Sequence, residues 1–224
     1  MEGKGANDMT FSLQTMLDVL PALLRGTVVT LQATAAGILL ALALGLFLAI
    51  ARRGSNRAIV VVIDLFVTVI RSTPLLIQLY LLFYVLPLYG PSLSPLVTGV
   101  LGLGVHYSSY LSEVFRAGID AVPKGQWEAS VALQMPRAKT WCRIILPQAF
   151  RIVLPQIGNY MISMYKHASL LATITVVELL GAALNYAGET FRYLEVLTLV
   201  GVIYFIIGYV FSRIIKYIEL KLAY

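Results

Sequence analysis

The sequence predicts an all-α, polytopic membrane protein with about five transmembrane helices. Three observations carry that expectation. First, 59% of the 224 residues are hydrophobic and only 12% are charged, about half the charge of an ordinary soluble domain. Second, the apolar residues gather in runs long enough to cross a hydrocarbon core of about 30 Å. Third, the basic residues lie between those runs, as the loops of a membrane protein place them, and form no single basic face of the kind that binds nucleic acid. The formal net charge of +6 is therefore read as a cationic membrane protein, with no nucleic-acid partner and the lipid bilayer as solvent.

Taken in order, residues 1–25 are polar and mixed in charge, with Asp18 and Pro21 breaking the apolar pieces around Leu17 to Leu24. No basic stretch followed by a short apolar core and a small-residue cleavage site is present, so a removable signal peptide is not expected. This segment reads as an extracytoplasmic N-terminal piece, a short amphipathic helix at the interface. Residues 26–224 form the transmembrane domain. The first span, 26–50, carries no charge and at 1.5 Å per residue is long enough to cross. Arg52, Arg53 and Arg57 close it on the cytoplasmic side. The second run, 58–86, exceeds one crossing and contains Asp64, Arg71 and Pro74. It reads as a tilted or interfacial first half and a spanning second half, with Pro74 at the change because its ring and missing N–H disturb the helix.

A loop rich in Pro, Gly and Ser, Pro87 to Pro95, leads to the third span, 96–115. A cytoplasmic loop follows at 116–151, then spans at 153–171 and 196–211, with the stretch bearing Glu178, Glu189 and Arg192 outside. The C-terminus with Arg213, Lys216 and Lys221 ends inside and the N-terminus lies outside. About twelve of the seventeen basic residues then fall on the cytoplasmic side, as the positive-inside tendency requires. The glycines of the third span (Gly99, Gly102, Gly104) and of the fifth (Gly201, Gly208) are expected to permit close helix packing.

The loop holds the one long basic, amphipathic insertion, VPKGQWEASVALQMPRAKTWCRIILP, from Val122 to Pro147. Gly125-Gln126 is expected to break the preceding helix. Trp127, Val131 and Leu133 or Met135 then recur at helical spacing on one apolar face. Pro136 can open a second helix, since a first-turn proline gives up no hydrogen bond the helix needed. The segment reads as helix, turn, helix, placed where a soluble partner can take hold.

Glu128-Ala129-Ser130, three residues, Gln134, nine residues, then Ile144-Ile145-Leu146-Pro147 resembles the E-A-A-x3-G-x9-I-x-L-P loop of ATP-binding-cassette importer permeases. Arg71-Ser72-Thr73-Pro74-Leu75-Leu76 is similar to that family's R-G-T-P-L-L, and Lys166-His167-Ala168-Ser169-Leu170 to its K-D-T-S-L. The resemblance covers nearly the whole chain and places it near the polar amino-acid permeases. Gly102 to Tyr107, Gly118-Ile119-Asp120 and Phe191 to Glu195 look most like the branch that imports ectoine-type compatible solutes.

The resemblance implies a type I importer permease fold in the bacterial inner membrane. It also implies a partnership with a second permease subunit, a cytoplasmic ABC ATPase dimer and an extracytoplasmic solute-binding protein. The chain would be a transport subunit and no enzyme: it has no Gly-x-x-x-x-Gly-Lys-Ser/Thr, so it needs no cofactor of its own and ATP-Mg would be bound by the partner. The resemblance marks Gly125, Trp127, Glu128, Ala129, Ser130, Gln134, Met135 and Pro136 as the coupling elbow, with Glu128 making polar contacts to its own second helix or to the ATPase and Ala129 and Ser130 small enough for close approach. Gln134 stands where the family has Gly. If the backbone there needs φ > 0, the side chain costs on the order of 1 kcal/mol.

Ionisable and polar residues at membrane depth are costly, so those present should face a cavity or a partner. Gln78, Glu113, Asn159, Ser163, Lys166, His167 and Ser169 are the candidates for a path taken by a small polar solute. For Glu113 and Arg71, interfacial anchoring or interhelical ion pairing is the plainer reading. Hydroxyls such as Thr27, Thr30 and Thr34 usually bond their own helix. Because His167 replaces the family's Asp, a zwitterionic cargo is expected over an arginine-like one. An ion-driven transporter or channel is the alternative, but the sequence shows no inverted repeat with paired broken helices. A membrane enzyme is disfavoured because His106 and His167 stand alone in sequence and Cys142 has no candidate base nearby. No metal-ligand spacing occurs.

Overall fold

The computed structural model describes residues 11–54 and 56–222, and among them all regular structure is helical. The first helix, α1 (Leu13–Ala51), begins where Ser12 Oγ accepts the Thr15 N–H, and it runs unbroken through Pro21. Residues 13–25, expected to lie apart as an interfacial piece, are thus the first turns of the same 39-residue helix that carries the apolar run. Helix α2 (Arg57–Ser72) and α3 (Leu75–Tyr80), with its π-helical extension Leu81–Val85, meet at Pro74 with a bend of 105°. The proline lies where the sequence placed the change of direction.

Helix α4 (Pro95–Asp120) is followed by two short helices, α5 (Lys124–Ala132) and α6 (Arg137–Thr140). A π-helical turn over Trp141–Ile145 joins α6 to α7 (Leu146–His167), and a 3-10 segment Ala168–Ile174 leads on to α8 (Leu179–Thr190). Last comes α9 (Tyr193–Leu222). By length and composition α1 and α9 are each able to cross a membrane, and the bent α2–α3 and α7–α8 pairs pass the same test as broken spans. Helix α4 has 26 residues, enough for a crossing, but its Ser, His and Tyr residues make it more polar than α1 and α9.

The core lies where α1 packs along α4, with α7 against both. Small residues let the backbones approach. At Gly118 of α4 a Cβ would overlap Val153 and lie 3.1 Å from Ala149 O, so α7 meets α4 here almost backbone to backbone. Gly99, Gly102 and Gly104 are instead covered closely by the side chains of Leu171, Leu79 and Leu40, whereas Gly201 and Gly208 have no atom within 4 Å of a built Cβ. Among the described residues, the packing expected of the last two does not occur.

Helix α8 is the element the sequence reading missed. The stretch around Glu178, read as an outside loop, places Glu178 at 0% exposure as the N-cap of α8, packed on α1 and α9. The cause is local: Thr175 takes a left-handed conformation (φ 68°) and Phe191 another (φ 58°), so the chain turns sharply at both ends of a helix that a hydropathy scan cannot separate from its neighbours.

Candidate functional site

Two regions collect the chemistry: the elbow between α4 and α7, and a polar face where α4 and α7 meet the α2–α3 bend.

The elbow begins at Pro123, not at Gly125. Helix α4 stops at Asp120 because a proline disfavours helical backbone in the residue before it, while Gly125 and Gln126 sit inside the first turn of α5. Helix α5 ends in a pair of capping bonds, Met135 N–H to Ser130 O (3.0 Å) and Gln134 N–H to Val131 O (2.9 Å). This 6→1 and 5→2 pattern forces the residue between into the left-handed region. That residue is Gln134, with φ 50°. Pro136 then caps α6. Gln134→Gly is expected to make the elbow more stable by about 1 kcal/mol and Gln134→Val to weaken it. Amide hydrogen exchange of residues 130–140 measures this directly.

The expected single apolar face is divided in two. Trp127 turns inward, its ring 5.3 Å from that of Trp141 and perpendicular to it, and joins Ile119, Val122, Ile145 and Ala149 in a small core. Ser130 is buried and donates its hydroxyl to Gln126 O (2.7 Å). Val131 and Leu133 point out, 77% and 73% exposed. Glu128 and Ala129 are exposed, and Glu128 makes no hydrogen bond or ion pair to α6 among the described residues. Trp127, Glu128, Val131, Met135, Arg137 and Trp141 surround an open hollow of about 600 Å³.

Just above the elbow an ion-pair layer ties α1, α2 and α4 together. Arg52 reaches Glu113 and Asp64, each at 2.5 Å, Arg116 reaches Glu113 at 2.8 Å, and Arg53 pairs with Asp120. Burial opposes the charge on Arg52, yet hydrogen bonds and attraction from Glu113 and Asp64 hold its pKa above the ordinary arginine value. Glu113 is therefore an interhelical anchor. Arg71 is in no such pair among the described residues; its guanidinium lies 5.1 Å over the Tyr110 ring. Arg71, Arg52, Glu113 and Tyr110 line a polar cavity of about 350 Å³.

Along the polar face, His106 and His167 do not stand alone. Tyr107 Oη lies 2.9 Å from His167 Nδ1, and the His106 ring is 5.5 Å from that of Tyr107. Tyr160 of α7 packs against Tyr107 and Tyr110 at 6.1 and 5.7 Å. The spacing His106, Tyr110, Glu113 is i, i+4, i+7, one helical face, and that was the available signal for the aromatic members. Gln78 has partners of its own. It is buried at the bend, its amide nitrogen placed to donate to Ile70 O (2.8 Å) and Thr73 Oγ (2.7 Å) and its oxygen 3.1 Å from His106 Nδ1. Ser163 and Ser169 donate to their own helix at Asn159 O and Lys166 O, as do Thr27 and Thr34. Asn159, Lys166 and His167 are exposed on α7. The structure thus brings His167 together with Tyr107 and Gln78 together with His106, while Glu113 is taken up by Arg52 and Arg116.

Glu178 forms a third polar cluster that no sequence signal marked. Its Oε1 accepts the Gly181 N–H (2.8 Å), while Thr30 and Tyr204 hydroxyls each lie 3.1 Å from Oε2. Thr30 Oγ also accepts the Leu179 N–H (3.1 Å). A Cβ on Gly26 would fall 2.8 Å from Glu178 O, so α1 can touch the start of α8 only through glycine.

An all-helical chain with broken spans and a helix-turn-helix elbow defines a polytopic permease of the type I importer fold. Residues 37–224 match the family described as binding-protein-dependent transport system inner membrane component, and the chain belongs to that family. It is 40% identical over 218 residues to a probable amino-acid ABC transporter permease of Sinorhizobium fredii, covering 97% of this chain and 93% of that one. It is 36% identical to an L-cystine transport system permease of Bacillus subtilis, over 90% and 87% of the two chains. The crystal structure of an amino acid ABC transporter with histidines superposes with a TM-score of 0.87 at 33% identity, covering 95% of this chain and 100% of that one.

Proposed function

We propose that this protein is the membrane-spanning subunit of an ATP-driven importer that carries a polar amino acid or a related zwitterionic solute into the cytoplasm by alternating access. The observation that carries this reading is the elbow. Val131 and Leu133 stand exposed beside an apolar hollow braced by Trp127 and Trp141, which suits a groove on a soluble partner. A cytoplasmic ABC ATPase dimer docks there and passes nucleotide-driven closure to α4 and α7 as a rigid-body movement. Glu128, without a partner on α6, is free to contact the ATPase. Two permease subunits enclose the path, an extracytoplasmic binding protein delivers solute, the N-terminus lies outside and the C-terminus inside.

For the cargo, the cavity lined by Arg71, Arg52 and Glu113 has its one acid already paired with arginines, and His167 stands where the family's K-D-T-S-L has an acid. Both suit a zwitterion better than a cation. The relatives' names point to amino acids, cystine among them, while ectoine rests on sequence likeness alone. In proteoliposomes holding the assembled transporter, uptake requires ATP and survives collapse of ion gradients, and neutral zwitterions compete better than arginine. Arginine competing better overturns the cargo assignment; uptake that follows an ion gradient without ATP overturns the mechanism.

A further inference from the structure

An apolar groove of about 740 Å³ opens on the flank where α1, α4 and α7 meet. Leu39 and Leu46 of α1, Phe115 and Ile119 of α4 and Phe150 of α7 line it, and Arg151 is the one charged residue in its wall. Ile119 adjoins Asp120 of the ion-pair layer, so one end of the groove lies at the level where charges leave the membrane. Leu39 lies about 20 Å of helix away from Arg52. The groove therefore descends from the interface through about one leaflet of a core of about 30 Å.

We propose that this groove seats an acyl chain of an anionic phospholipid of the inner leaflet, with its phosphate paired to Arg151. A guanidinium suits phosphate because it can donate two parallel hydrogen bonds, and the inner leaflet's negative surface favours such a site. Arg151 is exposed and forms no ion pair among the described residues. A second copy of this chain is a poorer occupant, because the acids at this level, Asp64, Glu113 and Asp120, are already paired with Arg52, Arg53 and Arg116. The inference rests on the cytoplasmic placement of the elbow proposed above. Lipid retention is read without nucleotide, so a failure of ATPase coupling leaves the measurement intact.

The test is native mass spectrometry of the assembled transporter, purified in mild detergent with equal amounts of phosphatidylglycerol and phosphatidylcholine of identical chains. Retained phosphatidylglycerol is expected to exceed phosphatidylcholine several-fold, and Arg151→Gln to bring the two to parity. Ala43→Trp, which fills the groove from the exposed side of α1 without changing charge, lowers retention of both. Lys216→Gln on α9, outside the groove, leaves the excess in place. Parity in the wild type, an excess that Arg151→Gln does not remove, or equal loss in Lys216→Gln overturns the proposal. Retention of neither lipid by the wild type, the result if a second permease covers the groove, overturns it as well.

Discussion

Transporter carrying Ala129→Trp is expected to lose at least about tenfold of its ATP-driven uptake while its abundance in the membrane stays at the wild-type level. The reasoning separates folding from docking. Ala129 is exposed on α5, and the elbow's internal contacts run through Trp127, Ser130 and Trp141 on the other side. A large side chain at 129 therefore meets solvent in the free chain but meets the partner in the assembled transporter. Losing about 1.4 kcal/mol of docking energy is enough for the tenfold change. Glu128→Ala should act in the same direction. Solute-stimulated ATPase activity of the purified complex, measured beside uptake, reports the same loss. Normal stimulation in Ala129→Trp would move the docking surface away from α5.

The second large effect is expected at Glu178. Glu178→Ala strands the Gly181 N–H and the Tyr204 hydroxyl at a site with no exposure. Each buried group left unpaired costs about 1–3 kcal/mol, so the total is on the order of 2–6 kcal/mol. Helix α8 should then detach from α1 and α9, visible as a Tm lowered by several degrees and as faster hydrogen exchange confined to residues 178–190. Glu178→Gln is the informative contrast. Its amide oxygen still accepts from Gly181, and its NH2 can donate to the oxygens of Tyr204 and Thr30, so most of the stability should return. An equal fall in both variants would mean that charge, and not hydrogen bonding, holds this corner.

These two residues also show what could be read without coordinates. Glu128 and Ala129 lie in a contiguous motif whose turn chemistry is local: Pro136 opens a helix, and the family position held by Gln134 does adopt φ > 0. The placement of the first break failed for a local reason too, because glycine only permits a turn while Pro123 enforces one. Glu178 had no such signature. Its partner Thr30 is 148 residues away, and in sequence the acid looks like any charge between two apolar runs.

The sequence by itself determined the solvent this protein lives in, its helical class and the elbow, because composition, apolar run length and turn stereochemistry act over a few neighbouring residues. Only the tertiary structure decided which distant polar groups meet: Arg52 with Glu113 across 61 residues, Tyr107 with His167 across 60, and Glu178 with α1. Helical periodicity fixes the face a side chain points from. It does not say which other helix stands opposite, and that choice is made by the close backbone approaches at glycines such as Gly26 and Gly118.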